Sequence, residues 1–221
     1  RFVDHVIVCE SPEVAELAKL LENSFRYINI SFINEFSLFC RKLGVDIEEV
    51  IRLAASKPYG FMPFYPGVGV GGHCIQIDPI YLSEKAIEMG TRIRFIELAD
   101  EINLSMPLSF INIASEKMGG LVGKRVMVVG VSYKPNVSDV RETPVSELRD
   151  HLLSLGASVA WHDPLVPIWE GSKAVDLDWQ CDVAILAIKQ PSMNLDQLIA
   201  RGVLILDCTN SFVSVDGVTS L

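Results

Sequence analysis

The chain has 221 residues, 49% of them hydrophobic, and a formal net charge of −9. That length suits one large domain or two small ones, and the acidic balance argues against nucleic acid as a partner. No uncharged apolar run reaches the roughly 18 residues of a membrane span, and Arg1-Phe2-Val3-Asp4-His5 has neither signal nor transit character and reads like the middle of a protein. Five cysteines, Cys9, Cys40, Cys74, Cys181 and Cys208, form an odd set with no C-x-x-C pair, which points to a reducing cytoplasm and no structural zinc. The four histidines show no metal-ligand spacing either, so no metal is expected.

In chain order, Val6-Ile7-Val8-Cys9 has the look of a short strand. Ser11 as N-cap and Pro12 at the first helical position then open a long helix to Leu43, stopped by Gly44. Its apolar residues fall nearly all round, which predicts a buried, central helix. Asp46 and Glu49 form a capping box for a helix over Ile47–Ala55. Asp78 as N-cap and Pro79 begin a third helix, interrupted at Gly90. From about Ile93, Phe95, Leu98, Ala99, Ile102 and Met106 mark one apolar face, and Pro107 is expected to kink that helix or begin a new segment before Gly119-Gly120.

The hydrophobic period then changes. Buried parallel-type strands are expected at Arg125–Val131, Ser158–Asp163, Asp182–Ile188 and Val203–Asp207, with helices at Thr143–Leu155 and Leu195–Ala200. Alternating strands and helices imply a doubly wound α/β domain from about Leu121 onward.

Two stretches carry chemistry. Tyr65-Pro66-Gly67-Val68-Gly69-Val70-Gly71-Gly72-His73-Cys74 strips side chains from the backbone just before a thiol, so that a ligand could lie on main-chain N–H groups. His73 supplies a neighbouring base and Asp78 a carboxylate, a set suited to nucleophilic chemistry on a bound substrate. Gly67, Gly69 and Gly72 satisfy the letter of a dinucleotide fingerprint, but Pro66 precedes them and no strand leads in, so that reading is rejected. A flexible glycine turn with an inert buried cysteine is the plainer alternative. The second stretch, Ser132 to Pro144, is a long loop after the first strand that offers Tyr133, Lys134 and Arg141, suited to a base and its phosphates. Its plainer alternative is a solvated loop in which Arg141 pairs with Asp139 or Glu142. In the first helix Lys19, Asn23, Arg26 and Asn34 return near one azimuth; this polar stripe faces either another domain or an active site.

Three segments, Ala15–Asn23, Gly71–Pro79 and Tyr133–Pro144, resemble the UDP-glucose/GDP-mannose dehydrogenase family in order and spacing. His73 before Cys74, with Lys57-Pro58-Tyr59-Gly60-Phe61 upstream, is most similar to the UDP-N-acetylglucosamine 6-dehydrogenase branch. The resemblance implies an α/β chain with residues 1–10 as the tail of an absent NAD-binding domain. Residues 11–120 would form an all-helical dimerisation domain, and residues 121–221 a doubly wound, Rossmann-like domain binding UDP. It implies oxidation of a sugar C6 alcohol to a carboxylate with two NAD+, by a homodimer joined through the long central helix that runs from about Ile93 to Met118.

On this resemblance Cys74 is the nucleophile forming a thiohemiacetal and then a thioester. Asp78 helps activate water, and Lys19 and Asn23 stabilise the oxyanion. Tyr65, Gly67, Gly69, Gly71, Tyr133 and Lys134 bind the UDP-sugar, while Arg141 and His73 face the NAD cofactor. Relatives tend to carry an arginine shortly after the last strand, where this chain has Asp207-Cys208-Thr209-Asn210. A non-catalytic module for UDP-sugar binding or dimerisation is the alternative.

Overall fold

The computed structural model describes residues 5–212 and 217–220, so the beginning of the expected segment 1–10 and the end of 121–221 lie outside the described residues. The first half is helical: α1 (Pro12–Leu43), α2 (Ile47–Ala55), a single π-helical turn (His73–Ile77), α3 (Asp78–Glu88) and α4 (Arg94–Met118). Among the described residues no helix is long and apolar enough to cross a membrane.

α1 has the expected bounds, with Gly44 in the left-handed conformation that closes its last turn. Ser11 sits at the N-cap position but does not cap the backbone with its side chain; its hydroxyl instead bonds Glu13 and lowers that carboxyl's pKa. The expected all-round burial is wrong. Asn23, Ser24, Tyr27, Ser31, Asn34 and Ser37 face inward, while Leu17, Leu21, Phe25, Phe32, Phe39 and Leu43 face outward. Small side chains let the inner face approach α4, Asn23 and Asn34 bond Asp78 and Gly67 beside it, and the apolar excess is left on the outer face.

Val6–Cys9 is not a strand: it has no regular structure and is exposed, because no strand among the described residues lies beside it to complete a ladder. The Asp46 carboxylate caps α2 by accepting from the Glu48 N–H at 2.9 Å, but Glu49 pairs with Arg52 instead of closing the box. Asp78 is the first residue of α3, not its N-cap. Pro79 has no N–H for the Ile75 carbonyl, and the helical path enters through the wider π turn instead. α4 runs through Pro107 as one helix, and its buried face is Ile96, Ala99, Asn103, Met106 and Phe110, with Phe95 and Leu98 exposed.

The second half is a parallel sheet of β1 (Arg125–Val129), β2 (Ser158–His162), β5 (Val183–Leu186), β6 (Leu204–Asp207) and β7 (Val218–Ser220), in the order β2-β1-β5-β6-β7. A small hairpin, β3 (Ile168–Trp169) and β4 (Ser172–Lys173), follows β2, and α5 (Val145–Ser154) and α6 (Asp196–Ala200) lie between strands. The hairpin and β7 escape sequence reading because strands of two or three residues carry no measurable period.

Alternation along β1 sends Val126 and Val128 to one face and Met127 and Val129 to the other. The first face shares a continuous core with Met106, Phe110 and Ile111 of α4 and with Ile33 of α1, so α4 fastens the helical lobe onto the sheet. The helical part followed by a doubly wound sheet is the expected α/β architecture.

Candidate active site

The glycine run is held by three anchors. Asn34 of α1 accepts from the Gly67 N–H at 2.9 Å, Asn103 of α4 accepts from the Val70 N–H at 2.6 Å, and the Glu142 carbonyl accepts from the Gly72 N–H at 3.1 Å. Three of the N–H groups expected to face a ligand are therefore turned into the protein. The glycines serve close approach. A Cβ on Gly71 would lie 2.6 Å from the Glu142 carbonyl oxygen, and one on Gly72 would lie 2.7 Å from the Tyr133 ring. The stretch is a backbone seam between the helical lobe and the loop after β1.

That loop is fixed from behind. Gln190, fully buried, donates to the Ser132 hydroxyl at 2.7 Å and accepts from the Asn136 N–H at 2.7 Å. The buried carboxylate of Asp163, just past β2, accepts from the Val131 N–H at 2.9 Å. Tyr133 is thereby held against Gly71 and Gly72, and the Lys134 ammonium lies 5.3 Å from the Tyr133 ring centroid.

A cavity of about 560 Å³ opens between the seam and the loop. Tyr65, Gly67, Gly69 and Gly71 line one side of it with His73 and Cys74, and Tyr133, Lys134 and Arg141 line the other. Arg26 of the polar stripe and Gly72 of the glycine stretch also line it, as do Ile30 and Asp139, to which the sequence reading gave no ligand role. Ile30 was legible in principle, since it follows Asn23 and Arg26 on one face of α1 at i+7 and i+4. Cations thus gather in one place on a chain of net charge −9. Arg141 is bound by Asp139 through paired contacts of 3.0 and 2.6 Å, and the guanidinium lowers the Asp139 pKa to about 2.

Cys74 is exposed within this cavity, whereas Cys40, Cys181 and Cys208 are buried and burial raises the pKa of each. Asn23 donates to the Asp78 carboxylate at 2.8 Å, and His73 Nδ1 lies 4.0 Å from the other oxygen of Asp78. Asn23 and Asp78 lie beside the Cys74 turn but do not line the cavity, and Lys19 does not either; its ammonium pairs with Glu22 at 2.9 Å in the open.

The cofactor implied by the resemblance does not fit the sheet's own crevice. In a doubly wound sheet a dinucleotide lies at the switch point, here between the carboxyl ends of β1 and β5. Gly130 ends β1, and a Cβ there would lie 1.9 Å from the Ile188 carbonyl oxygen. The segment after β5 has closed onto that turn, and Gln190 fills the space beyond it.

The family model for the central domain of the UDP-glucose/GDP-mannose dehydrogenases matches residues 13–105, and the model for their UDP-binding domain matches residues 127–212. A UDP-N-acetyl-D-mannosamine dehydrogenase of Methanococcus maripaludis is 38% identical over 171 residues, which are 76% of this chain and 39% of that protein. A UDP-N-acetyl-D-glucosamine 6-dehydrogenase of Pseudomonas aeruginosa is 36% identical over 160 residues, 71% of this chain and 37% of that protein. The structure of a UDP-glucose dehydrogenase from Pyrobaculum islandicum superposes with a TM-score of 0.83 at 30% identity, over 96% of this chain and 51% of that one. The chain therefore spans about two fifths of these curated relatives and about half of the solved chain. With the thiol loop inside one matched segment and the Tyr133–Lys134 loop inside the other, the chain belongs to the UDP-glucose/GDP-mannose dehydrogenase family.

Proposed function

We propose that this chain binds a UDP-sugar in the cavity and presents Cys74 to C6 of the sugar, as part of a nucleotide-sugar 6-dehydrogenase acting on a UDP-(N-acetyl)hexosamine. The observation that carries this is the shared cavity: the exposed thiol of Cys74 and the Tyr133–Lys134 loop line the same space. Tyr133 offers a stacking face for uracil, and Lys134 and Arg26 offer charge to the diphosphate. Similarity extends to enzymes named for both N-acetylmannosamine and N-acetylglucosamine, so either epimer is a suitable trial substrate.

At the reacting end, the Cys74 sulfur adds to the C6 aldehyde carbonyl. A C–S bond forms, the carbonyl π electrons move to oxygen, and the thiol proton leaves to a base, with His73 nearest in sequence. Loss of hydride from that thiohemiacetal gives a thioester. Water then attacks the acyl carbon, the C–S bond breaks, and Cys74 is restored as the carboxylate departs. Asp78, oriented by Asn23, takes the proton of that water. Lys19 reaches the developing oxyanion after leaving Glu22, a solvent-exposed pair of the weak kind.

NAD+ supplies the hydride acceptor in this family. Since the crevice between β1 and β5 does not receive a dinucleotide, Arg141 and His73 act toward the cofactor only as rim contacts. The purified chain is accordingly a UDP binder that leaves NAD+ unreduced. A homodimer through the long central helix fits the apolar side chains that α1 and α4 leave exposed, and five free cysteines suit a cytoplasmic setting. Calorimetry with UDP tests the reading: a measurable isotherm that Lys134→Ala weakens supports it, and no heat at millimolar UDP overturns it. NADH production by the chain alone would overturn the division of labour.

A further inference from the structure

The cysteine loop meets the helical lobe most tightly at Val70. Asn103, buried on α4, places both ends of its amide on that one residue: Oδ1 accepts from the Val70 N–H at 2.6 Å and Nδ2 donates to the Val70 carbonyl at 3.3 Å. Pro107, four residues on, has no N–H to give to the Asn103 main-chain carbonyl. That carbonyl oxygen turns toward the loop, 3.5 Å from the position a Cβ on Gly69 would take. Both neighbours of Val70 are pressed on the substrate loop, Gly69 with 3.0 Å between its Cβ position and Pro144, and Gly71 with 2.6 Å to the Glu142 carbonyl. A shift of Val70 therefore moves Gly69 and Gly71 into backbone and ring atoms that have no slack, and carries Cys74 with them.

We propose that Asn103 is a positioning residue of this site: from α4 it sets the register of the glycine run, and so fixes Cys74 relative to the Tyr133–Lys134 loop. The assignment rests on the proposed UDP-sugar site. Asn103 lies behind the seam and is not among the side chains lining the 560 Å³ cavity, so it acts through Val70 and touches no substrate. An amide is suited to the task because one group must both accept and donate; a carboxylate meets the N–H but repels the carbonyl.

Asn103→Asp turns that requirement into a titration. Protonated, the new carboxyl accepts from the Val70 N–H and donates to its carbonyl, as the amide does. Ionised, it sets a negative oxygen against the Val70 carbonyl. Glu142, Glu147 and Glu170 share the space behind the seam with position 103, together with the neutral Gln76; Asp100 lies one turn back on α4 and the Tyr27 hydroxyl faces from α1. Burial and these carboxylates raise the new group above the usual aspartate value of about 3.9.

The test compares UDP dissociation constants of the Asn103→Asp and unaltered chains by calorimetry from pH 5 to pH 8, with thermal unfolding at each pH. The expected ratio stays within about threefold at pH 5 and rises to about tenfold or more at pH 8. Using the ratio cancels the titration of UDP itself. A ratio that is flat with pH overturns the proposal whether or not the melting temperature falls, since a merely structural residue lowers stability and leaves the affinity of folded molecules alone. Failure of the variant to fold at either end of the range overturns it too. Absence of UDP binding by the unaltered chain is a separate result, which removes the proposed function and this role with it.

Discussion

The amide of Asn23 donates to the carboxylate of Asp78 across 2.8 Å, joining α1 to the first residue of α3. The two were expected to act separately, one on the oxyanion and one on water, yet here the first orients the second. Asn23 is almost fully buried, so its partner is not replaceable by solvent. Asn23→Asp sets two carboxylates against each other and is expected to destabilise the fold by about 1–3 kcal/mol, a fall of several degrees in melting temperature. Like charges raise both pKa values, so the loss is full near pH 8 and is relieved as acidification protonates the pair. A penalty independent of pH in thermal scans would show that the contact carries no charge.

Thiol labelling separates the cysteines. Cys9 and Cys74 are exposed, and the other three are buried with raised pKa values. Iodoacetamide near neutral pH is expected to modify Cys74 first, Cys9 next and the buried three only on unfolding. UDP-sugar should slow labelling at Cys74 and leave Cys9 unchanged. Mass spectrometry that finds equal protection at both positions would count against a ligand over Cys74.

Gly71→Ala examines the seam. Its Cβ meets the Glu142 carbonyl and lies 2.8 Å from Pro144 Cδ, both parts of the backbone framework and unable to rotate away. Overpacking of this kind costs about 1–3 kcal/mol. Weaker UDP binding should accompany the lower melting temperature. Gly67→Ala, with open space around its Cβ position, is the internal comparison and should be tolerated.

The Arg141–Asp139 pair predicts a charge effect. The depressed Asp139 pKa means that its carboxylate stays ionised as pH falls from the ordinary 3.8 to about 2, so the pair holds through any usual assay range. Acid alone will not free the arginine, but Asp139→Asn will. Two cations on the loop would then face the cavity unopposed, and UDP is expected to bind several-fold tighter at low salt, with the gain fading as salt is added. An unchanged or weaker isotherm would place Arg141 outside the reach of the diphosphate.

Dimerisation is checked by light scattering. α1 exposes Leu17, Leu21, Phe25, Phe32 and Phe39, and α4 exposes Phe95, Leu98, Leu104 and Leu108. Together these exceed the scattered apolar residues normal for a monomer surface. A mass near twice 24.4 kDa at micromolar concentration is expected, and a mass of 24.4 kDa would refute it.

Residues read by period and punctuation were placed well. Gly44 ended α1, and the buried runs around Val126, Ala184 and Ile205 became neighbouring parallel strands. Burial was misread where the chain inverts the usual pattern. On α1 three inward polar groups bond partners that only the tertiary fold brings near, Asn23 to Asp78, Tyr27 to Asp100 and Asn34 to Gly67, 33 residues away, while Ser24 and Ser31 go inside as small side chains. Phe95 and Leu98 failed for the same reason: periodicity reports an apolar face without saying what covers it. Within the candidate site, Cys74, Tyr133 and Lys134 were legible as residue types in unusual company. The function of the glycines was not, because the surfaces that require them, Glu142 and Tyr133, come from the other lobe.

The seam also decides what can move. Its contacts are backbone against backbone and ring against bare Cα, with Gly72 donating to Glu142 across it. Such a joint leaves little room for rearrangement, because bare Cα positions lie against a carbonyl and against the Tyr133 and Pro144 rings. The thiol and the nucleotide loop are consequently one mechanical part. The spacing between Cys74 and Tyr133 is therefore set by the backbone of the two segments.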